Sequence, residues 1–123
     1  MEIKITEHNG VYIAEVISDQ VEVSSGQDAL DIMMSCAYQG AEHIIWHQRN
    51  IHPDFFDLKT RLAGEVLQKA SNYRIRLAII GHFDDLSNKS LRDFILESNR
   101  MGRVVFVSNV DSATRMLADK GMS

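Results

Sequence analysis

The sequence has few of the residues that cross-link a chain or break its regular structure. Its 123 residues include a single cysteine, Cys36, and a single proline. One cysteine cannot form an intramolecular disulfide, so nothing indicates an oxidising compartment. Only seven glycines accompany the proline, which leaves little room for long unstructured loops. An apolar core, rather than covalent bonds, must therefore hold the fold together.

Long apolar stretches and an excess of positive charge are missing as well. The longest apolar runs have about four residues, whereas a membrane-spanning helix needs about 20. Residues 1–6 lack the basic and then apolar pattern of a secretory signal. Thirteen Lys and Arg against seventeen Asp and Glu give a net charge of −4, which disfavours binding to phosphate backbones. We therefore expect a cytoplasmic protein that binds neither nucleic acid nor membrane.

The composition is that of an ordinary globular domain. Hydrophobic residues make up 45% of the chain and charged residues 24%. A chain of this length buries roughly 70% of the surface that its unfolded form exposes. We therefore expect one domain that covers residues 1–123.

The N-terminal residues predict a β-hairpin. Ile3 and Ile5 alternate with polar residues, which is typical of a half-buried strand, and residues 11–18 are rich in β-branched side chains. Asn9 and Gly10 lie between the two strands and suit a type I′ turn, because both central residues of that turn need a positive φ.

Four helices are predicted from apolar residues that recur every three or four positions. The inward face of the first helix is expected at Leu30, Met33, Met34, Ala37 and Tyr38. The second helix is expected from Asp54 to Ala70. The third is expected from Asn88 with Ser87 as its N-cap, and the fourth follows Val107 and ends before Gly121.

Three apolar segments between these helices predict the remaining strands, at His43–His47, Arg76–Gly81 and Arg103–Val107. Their cores are apolar at every position, which favours parallel strands that are covered on both faces. The predicted fold class is α/β: an N-terminal β-hairpin followed by αβαβαβα, with a mostly parallel five-stranded sheet. Right-handed crossovers place the helices mainly on one face of the sheet. The apolar second face therefore predicts a homodimer, unless the first hairpin and the chain ends cover that face.

This element order resembles the STAS fold, the anti-sigma-factor antagonist domain. In STAS domains a strand leads into a Phe-x-Asp-Ser-Ser-Gly-Leu turn, and here the strand at His43–His47 leads into Phe55-Phe56-Asp57-Leu58-Lys59-Thr60. The resemblance implies a STAS-like fold and a non-catalytic regulatory module that binds a partner protein. STAS antagonists switch partners when the serine after the aspartate is phosphorylated. Because Leu58 and Lys59 follow Asp57 here, that switch is not implied for this chain.

A longer resemblance is to a family of bacterial proteins described only as a domain of unknown function. It rests on the segment 55–60, on Leu62-Ala63-Gly64-Glu65, on Asn72-Tyr73-Arg74 and on Ser90-Leu91-Arg92-Asp93-Phe94-Ile95. This resemblance implies no particular activity.

Polar side chains near the predicted carboxyl ends of the last three strands form a candidate binding site. In open α/β sheets, ligands bind at this edge, and the helix N-termini beside it favour an anion. The candidate residues are Arg49, Asn50, His52, Asp57, Thr60, His82 and Asp84. A small anionic ligand at this edge is therefore the alternative to a partner protein, and such a binder needs a pocket of roughly 300 Å³ or more.

A metal-assisted enzyme is a third hypothesis. Imidazole and carboxylate suit zinc or iron, and such side chains are present at His47, His52, His82 and Asp84. None of them has the spacing of a metal-binding motif such as His-Glu-x-x-His. The sequence also has no nucleophile elbow and no glycine-rich phosphate loop. We therefore predict no catalytic residue, no metal and no cofactor.

Overall fold

The computed structural model describes residues 1–119, in which five strands and four helices alternate after an initial hairpin. The elements are β1 (Glu2–His8), β2 (Val11–Ile17), α1 (Gly26–Tyr38), β3 (His43–His47), α2 (Leu62–Asn72), β4 (Arg76–Ile80), α3 (Lys89–Met101), β5 (Val104–Val107) and α4 (Val110–Ala118). Gly121, the predicted end of the last helix, lies outside the described residues. No helix within residues 1–119 is long and apolar enough to cross a membrane.

The strands form one mixed sheet in the order β1-β2-β3-β4-β5. β1 and β2 are antiparallel, and the other three pairs are parallel. The hairpin turns at Asn9 and Gly10, whose φ angles are 55° and 81°. The predicted hairpin and the consecutive parallel strands β3, β4 and β5 are therefore confirmed.

Helices cover both faces of this sheet. α1, α2 and α3 pack on one face, where Trp46, Leu77 and Phe106 contribute to the larger core. α4 packs on the other face, where Ala113 and Leu117 meet a smaller set of strand residues: Ile13, Ile45, Ala78 and Val105. The centre of the second face is therefore covered within the chain, which removes the reason for predicting a homodimer. The oligomeric state itself stays a prediction.

The prediction for the inward face of α1 is right for three of its five residues and wrong for Tyr38. Ala29, Ile32, Met33 and Cys36 are buried, whereas Tyr38 is 94% exposed. Of the predicted residues, Met33 is buried, and Met34 and Ala37 are partly buried and pack against the larger core. The small side chains of Ala29 and Cys36 add little to a hydrophobic pattern, so the larger residues beside them dominated the prediction.

The second helix begins at Leu62 and not at Asp54 as predicted. Residues Pro53–Phe56 and Leu58–Thr60 form two short 3-10 turns instead. Asp57 ends the first turn and caps the second, since its Oδ1 accepts from the Lys59 amide at 3.2 Å. Arg61 then adopts a left-handed conformation with φ 66°, which interrupts a continuous helix.

Side chains cap the other helices locally. Ser25 Oγ accepts from the Asp28 amide at 3.1 Å, which confirms the predicted start of α1. α3 is capped by Asn88 and not by the predicted Ser87, because Asn88 Oδ1 accepts from the Leu91 amide at 3.0 Å. Asn109 caps α4 through the Ser112 amide.

Candidate functional site

A cavity of about 360 Å³ lies beyond the carboxyl ends of β3 and β4. We call it the apolar pocket. Its lining residues are Val21, Gln48, Arg49, Ile51, Pro53, Phe56, Phe83, Leu86 and Leu91. Seven of these nine are apolar, and the volume exceeds the roughly 300 Å³ at which ligand pockets begin.

The wall formed by Val21 and Ile51 is held by backbone hydrogen bonds between two loops. The loop after β3 begins with a 3-10 turn at Gln48–Asn50. The carbonyl of Asn50 accepts from the Glu22 amide at 2.8 Å, and the His52 amide donates to the carbonyl of Val23 at 2.8 Å. These bonds pair the segment after β3 with the segment after β2. The pocket wall is therefore fixed by contacts between parts of the chain that are distant in sequence.

Asn50 stabilises the same junction from inside the protein. It is 1% exposed, and its Nδ2 donates to the carbonyls of Ser18 and Gln20, both at 2.8 Å. Its buried Oδ1 has no hydrogen-bond partner among the described residues. Asn50 therefore positions the loops, and both of its donor hydrogens are already in use.

Aromatic rings form the side of the pocket next to β4 and β5. The ring centroids of Phe56 and Phe83 are 5.8 Å apart, and Phe83 meets Phe106 edge to face at 5.3 Å. Phe55, which is fully buried, packs against Phe56 at 4.9 Å. Because such contacts fix ring orientation, this side of the pocket has a defined shape before any ligand arrives.

Two polar side chains, Gln48 and Arg49, complete the lining. The Oε1 of Gln48 accepts from the His82 amide at 3.1 Å. A Cβ atom on Gly81 would overlap atoms of both Gln48 and Phe83, so glycine at this position lets the two pocket residues lie against the backbone. Arg49 is exposed, and its Nε donates to the carbonyl of Ser18 at 3.2 Å.

Three of the predicted site residues serve the turns between β3 and α2. His52 Nδ1 accepts from the Asp54 amide at 3.0 Å. Thr60 Oγ1 contacts the carbonyls of Asp54 and Asp57 at 2.5 and 2.8 Å, and the amide of Leu62 at 3.3 Å. Asp57 caps the turn as described above. These groups stabilise the local backbone, and none of the three residues lines the apolar pocket.

The remaining candidates, His82 and Asp84, are exposed in the loop after β4. Asp84 lines a separate cavity of about 310 Å³, together with Ser108 and Ser112 near the start of α4. Phe83 borders both cavities. Of the seven predicted site residues, Arg49 alone lines the apolar pocket.

The histidines and aspartates of the predicted rim do not converge. Within residues 1–119, no three His, Cys, Asp or Glu side chains are grouped so that they could hold a metal ion. His47 instead pairs with Glu15 on β2, with 2.7 Å between Nε2 and Oε2. Burial raises the pKa of the Cys36 thiol to about 11, so this cysteine is a neutral core residue near neutral pH.

The apolar walls of the pocket were missed by the sequence reasoning. Phe83 and Leu86 lie in the otherwise polar segment 81–88, and Val21 lies in a polar loop after β2. Large apolar residues within such loops were the available signal, because a solvated loop has no need of them. Gln48 could be placed at the edge of the sheet but not in a pocket.

The comparisons with known proteins identify a family. A family model described as DUF4180, a domain of unknown function, matches residues 8–117. No curated protein and no solved structure matches the chain. Since the family model covers most of the sequence, the chain belongs to the DUF4180 family.

Proposed function

We propose that this protein is a binding domain that holds a small molecule in the apolar pocket. The observation that carries the proposal is a cavity of about 360 Å³ with seven apolar lining residues and two side chains that carry hydrogen-bond donors. Apolar walls with a few placed polar groups are typical of ligand sites. The position beyond the strand carboxyl ends is also the usual ligand position in open α/β sheets.

The lining chemistry favours binding over reaction. The polar side chains of the pocket are the amide of Gln48 and the guanidinium of Arg49. An amide does not titrate, and a guanidinium stays protonated in proteins. These groups can orient a ligand, but neither takes up and returns a proton near neutral pH. The proposed function is therefore non-catalytic binding.

A STAS-like fold and a protein partner form the second candidate. It is supported by the element order and by the resemblance of the segment 55–60 to the STAS turn. Val21 at the pocket is 46% exposed, so an apolar side chain of a partner could contact the same site. In that case the pocket would bind a partner residue in place of a free small molecule.

Titration with N-phenyl-1-naphthylamine, a neutral apolar dye that fluoresces when it leaves water, tests the small-molecule proposal. We expect a saturable signal with one dye per chain. Val21→Trp fills the pocket and should abolish the signal. Val110→Trp is the matched control, because Val110 is a valine of similar exposure on α4, 42% against 46%, that lies outside the pocket.

A non-saturable signal, or equal dye binding by the two tryptophan variants, would contradict a site in the apolar pocket. Melting curves of both variants show whether each is folded. If Val21→Trp does not fold, Leu86→Trp also adds volume to the pocket, from the loop after β4.

A further inference from the structure

We infer that the ligand of the apolar pocket is a small carboxylate with an apolar body, whose carboxylate pairs with Arg49. The inference rests on the proposed function and adds the chemical class of the ligand. It is carried by three properties of the pocket, which are an incompletely paired guanidinium, a second donor, and an apolar lining without acidic side chains.

One nitrogen of the Arg49 guanidinium is hydrogen-bonded, and the other two are available to a ligand. Its Nε donates to the carbonyl of Ser18. Among the described residues, no acceptor lies within hydrogen-bond distance of its two Nη groups, and no carboxylate pairs with it. A guanidinium with both Nη groups available matches the two oxygens of a carboxylate. The bond to Ser18 limits the motion of the group before the ligand arrives.

Gln48 contributes a second donor beside Arg49. Its Oε1 is occupied by the His82 amide, which leaves the Nε2 hydrogens as the unused part of the side chain. Within residues 1–119, Nε2 has no acceptor. Neighbouring side chains in the pocket therefore offer hydrogen atoms to a ligand and no strong acceptor.

The other lining residues indicate the charge and size of the rest of the ligand. Within residues 1–119, no Asp or Glu lines the pocket, so a cationic ligand would find no acidic partner there and would face Arg49. Phe56, Phe83 and Leu91 offer apolar contact surface. A volume of about 360 Å³ is at the small end of the ~300–1,000 Å³ range of ligand pockets. It admits apolar bodies from a single ring up to the three rings of N-phenyl-1-naphthylamine.

Three compounds with one carbon skeleton test the charge requirement: 3-phenylpropanoate, 3-phenylpropan-1-ol and 3-phenylpropylamine. Each is titrated against the complex of the protein with N-phenyl-1-naphthylamine, and displacement gives its affinity. We expect the carboxylate to bind about tenfold more tightly than the alcohol, because a charge-assisted hydrogen bond strengthens the complex by about that factor. The amine should bind most weakly.

Variants of Arg49 test whether this side chain causes the tighter binding of the carboxylate. Arg49→Gln should weaken carboxylate binding about tenfold while alcohol binding stays as it was. Unchanged alcohol binding also shows that the pocket is still formed. Arg115→Gln removes an exposed arginine from α4, outside the pocket, and should change none of the three affinities.

The outcomes separate the two proposals. If the dye binds but the carboxylate and the alcohol displace it equally, or if Arg49→Gln leaves the carboxylate affinity unchanged, the carboxylate inference is wrong and the binding function stands. Dye displacement by none of the three compounds also overturns the inference. If the dye itself does not bind, the proposed function fails.

Discussion

At the scale of single residues, the sheet places three basic side chains in one row. His43 pairs in register with Arg76 on β4, and Arg103 precedes Val104, the register partner of Leu77. Arg76 Nε donates to the carbonyl of Gly102 at 3.1 Å, and Arg103 Nη1 to that of Ile75 at 3.3 Å. The row lies at the amino ends of the strands, at the opposite end from the apolar pocket.

Burial, and then the charge of Arg76, lower the pKa of His43 below its ordinary value of 6.5. Arg103 adds to this effect, and Glu42 opposes it. The folded chain therefore binds a proton at His43 less readily than the unfolded chain does. Protonation then favours unfolding, so this contribution to stability is complete above pH 6.5 and is lost as the pH falls through the lower pKa of the folded state.

His43→Gln removes this titration, and we expect a smaller loss of unfolding free energy between pH 7 and 5 than in the parent chain. Urea unfolding at several pH values measures it. Arg76→Gln should also reduce the pH dependence, because it removes the second cause of the shift. Parallel curves of stability against pH for the parent and His43→Gln would contradict the assignment.

At the scale of secondary-structure elements, α3 closes the outer edge of the sheet. Asn99 Oδ1 accepts from the Phe106 amide at 2.6 Å, and its Nδ2 donates to the carbonyl of the same residue at 3.3 Å. Ser98 Oγ donates to the carbonyl of Val104 at 2.5 Å. These side chains supply the bonds that a further strand would make, which protects β5 from pairing with another chain.

We expect Asn99→Ala to lower the unfolding free energy by about 1–3 kcal/mol, because the backbone amide of Phe106, a buried residue, loses its acceptor. Asn99→Asp keeps an acceptor for that amide but turns the second bond into a contact between two oxygens. It should therefore be destabilised as well. Chemical denaturation measures both variants.

Arg100→Ala is the control for this prediction, because the Arg100 side chain is 78% exposed on the same helix. Its effect should stay within about 0.5 kcal/mol. Equal stability of Asn99→Ala and Arg100→Ala would show that the edge of β5 does not depend on Asn99.

The elements that the sequence predicts well are those with strong local signals. The Asn9-Gly10 turn and the continuous apolar strand cores were enough to predict the hairpin and the parallel order of β3, β4 and β5. The segment 54–60 was predicted as helix because Phe55 and Leu58 fit a helical spacing. There the hydrogen bonds of Asp57 and Thr60 favour 3-10 turns over a helix, and hydrophobic spacing does not report such bonds.

At the scale of the whole molecule, the apolar pocket could not be predicted because it combines residues from distant segments. The bridge between Val23 and Ile51 joins the two loops that bring Val21 and Ile51 to the pocket, and Phe83 lines it from the loop after β4. The predicted strand order alone indicates that polar residues lie at this edge of the sheet. Which of them face a shared cavity depends on loop conformations, and this is why Arg49 was found while the apolar walls were not.

In the described part of the chain, the helix that packs on the second face of the sheet is α4, which has nine residues. Leu117 is 1% exposed and belongs to the cluster with Ile45 and Val105. Its replacement by alanine should cost about 2–5 kcal/mol and weaken the docking of α4. Since an uncovered apolar face of several hundred Å² favours association, we expect Leu117→Ala to show a mass that rises with concentration in light scattering. Arg115→Ala, on the exposed side of α4, should keep the mass of the parent chain. A destabilised Leu117→Ala chain that keeps the parent mass at every concentration would mean that α4 stays docked until the whole domain unfolds.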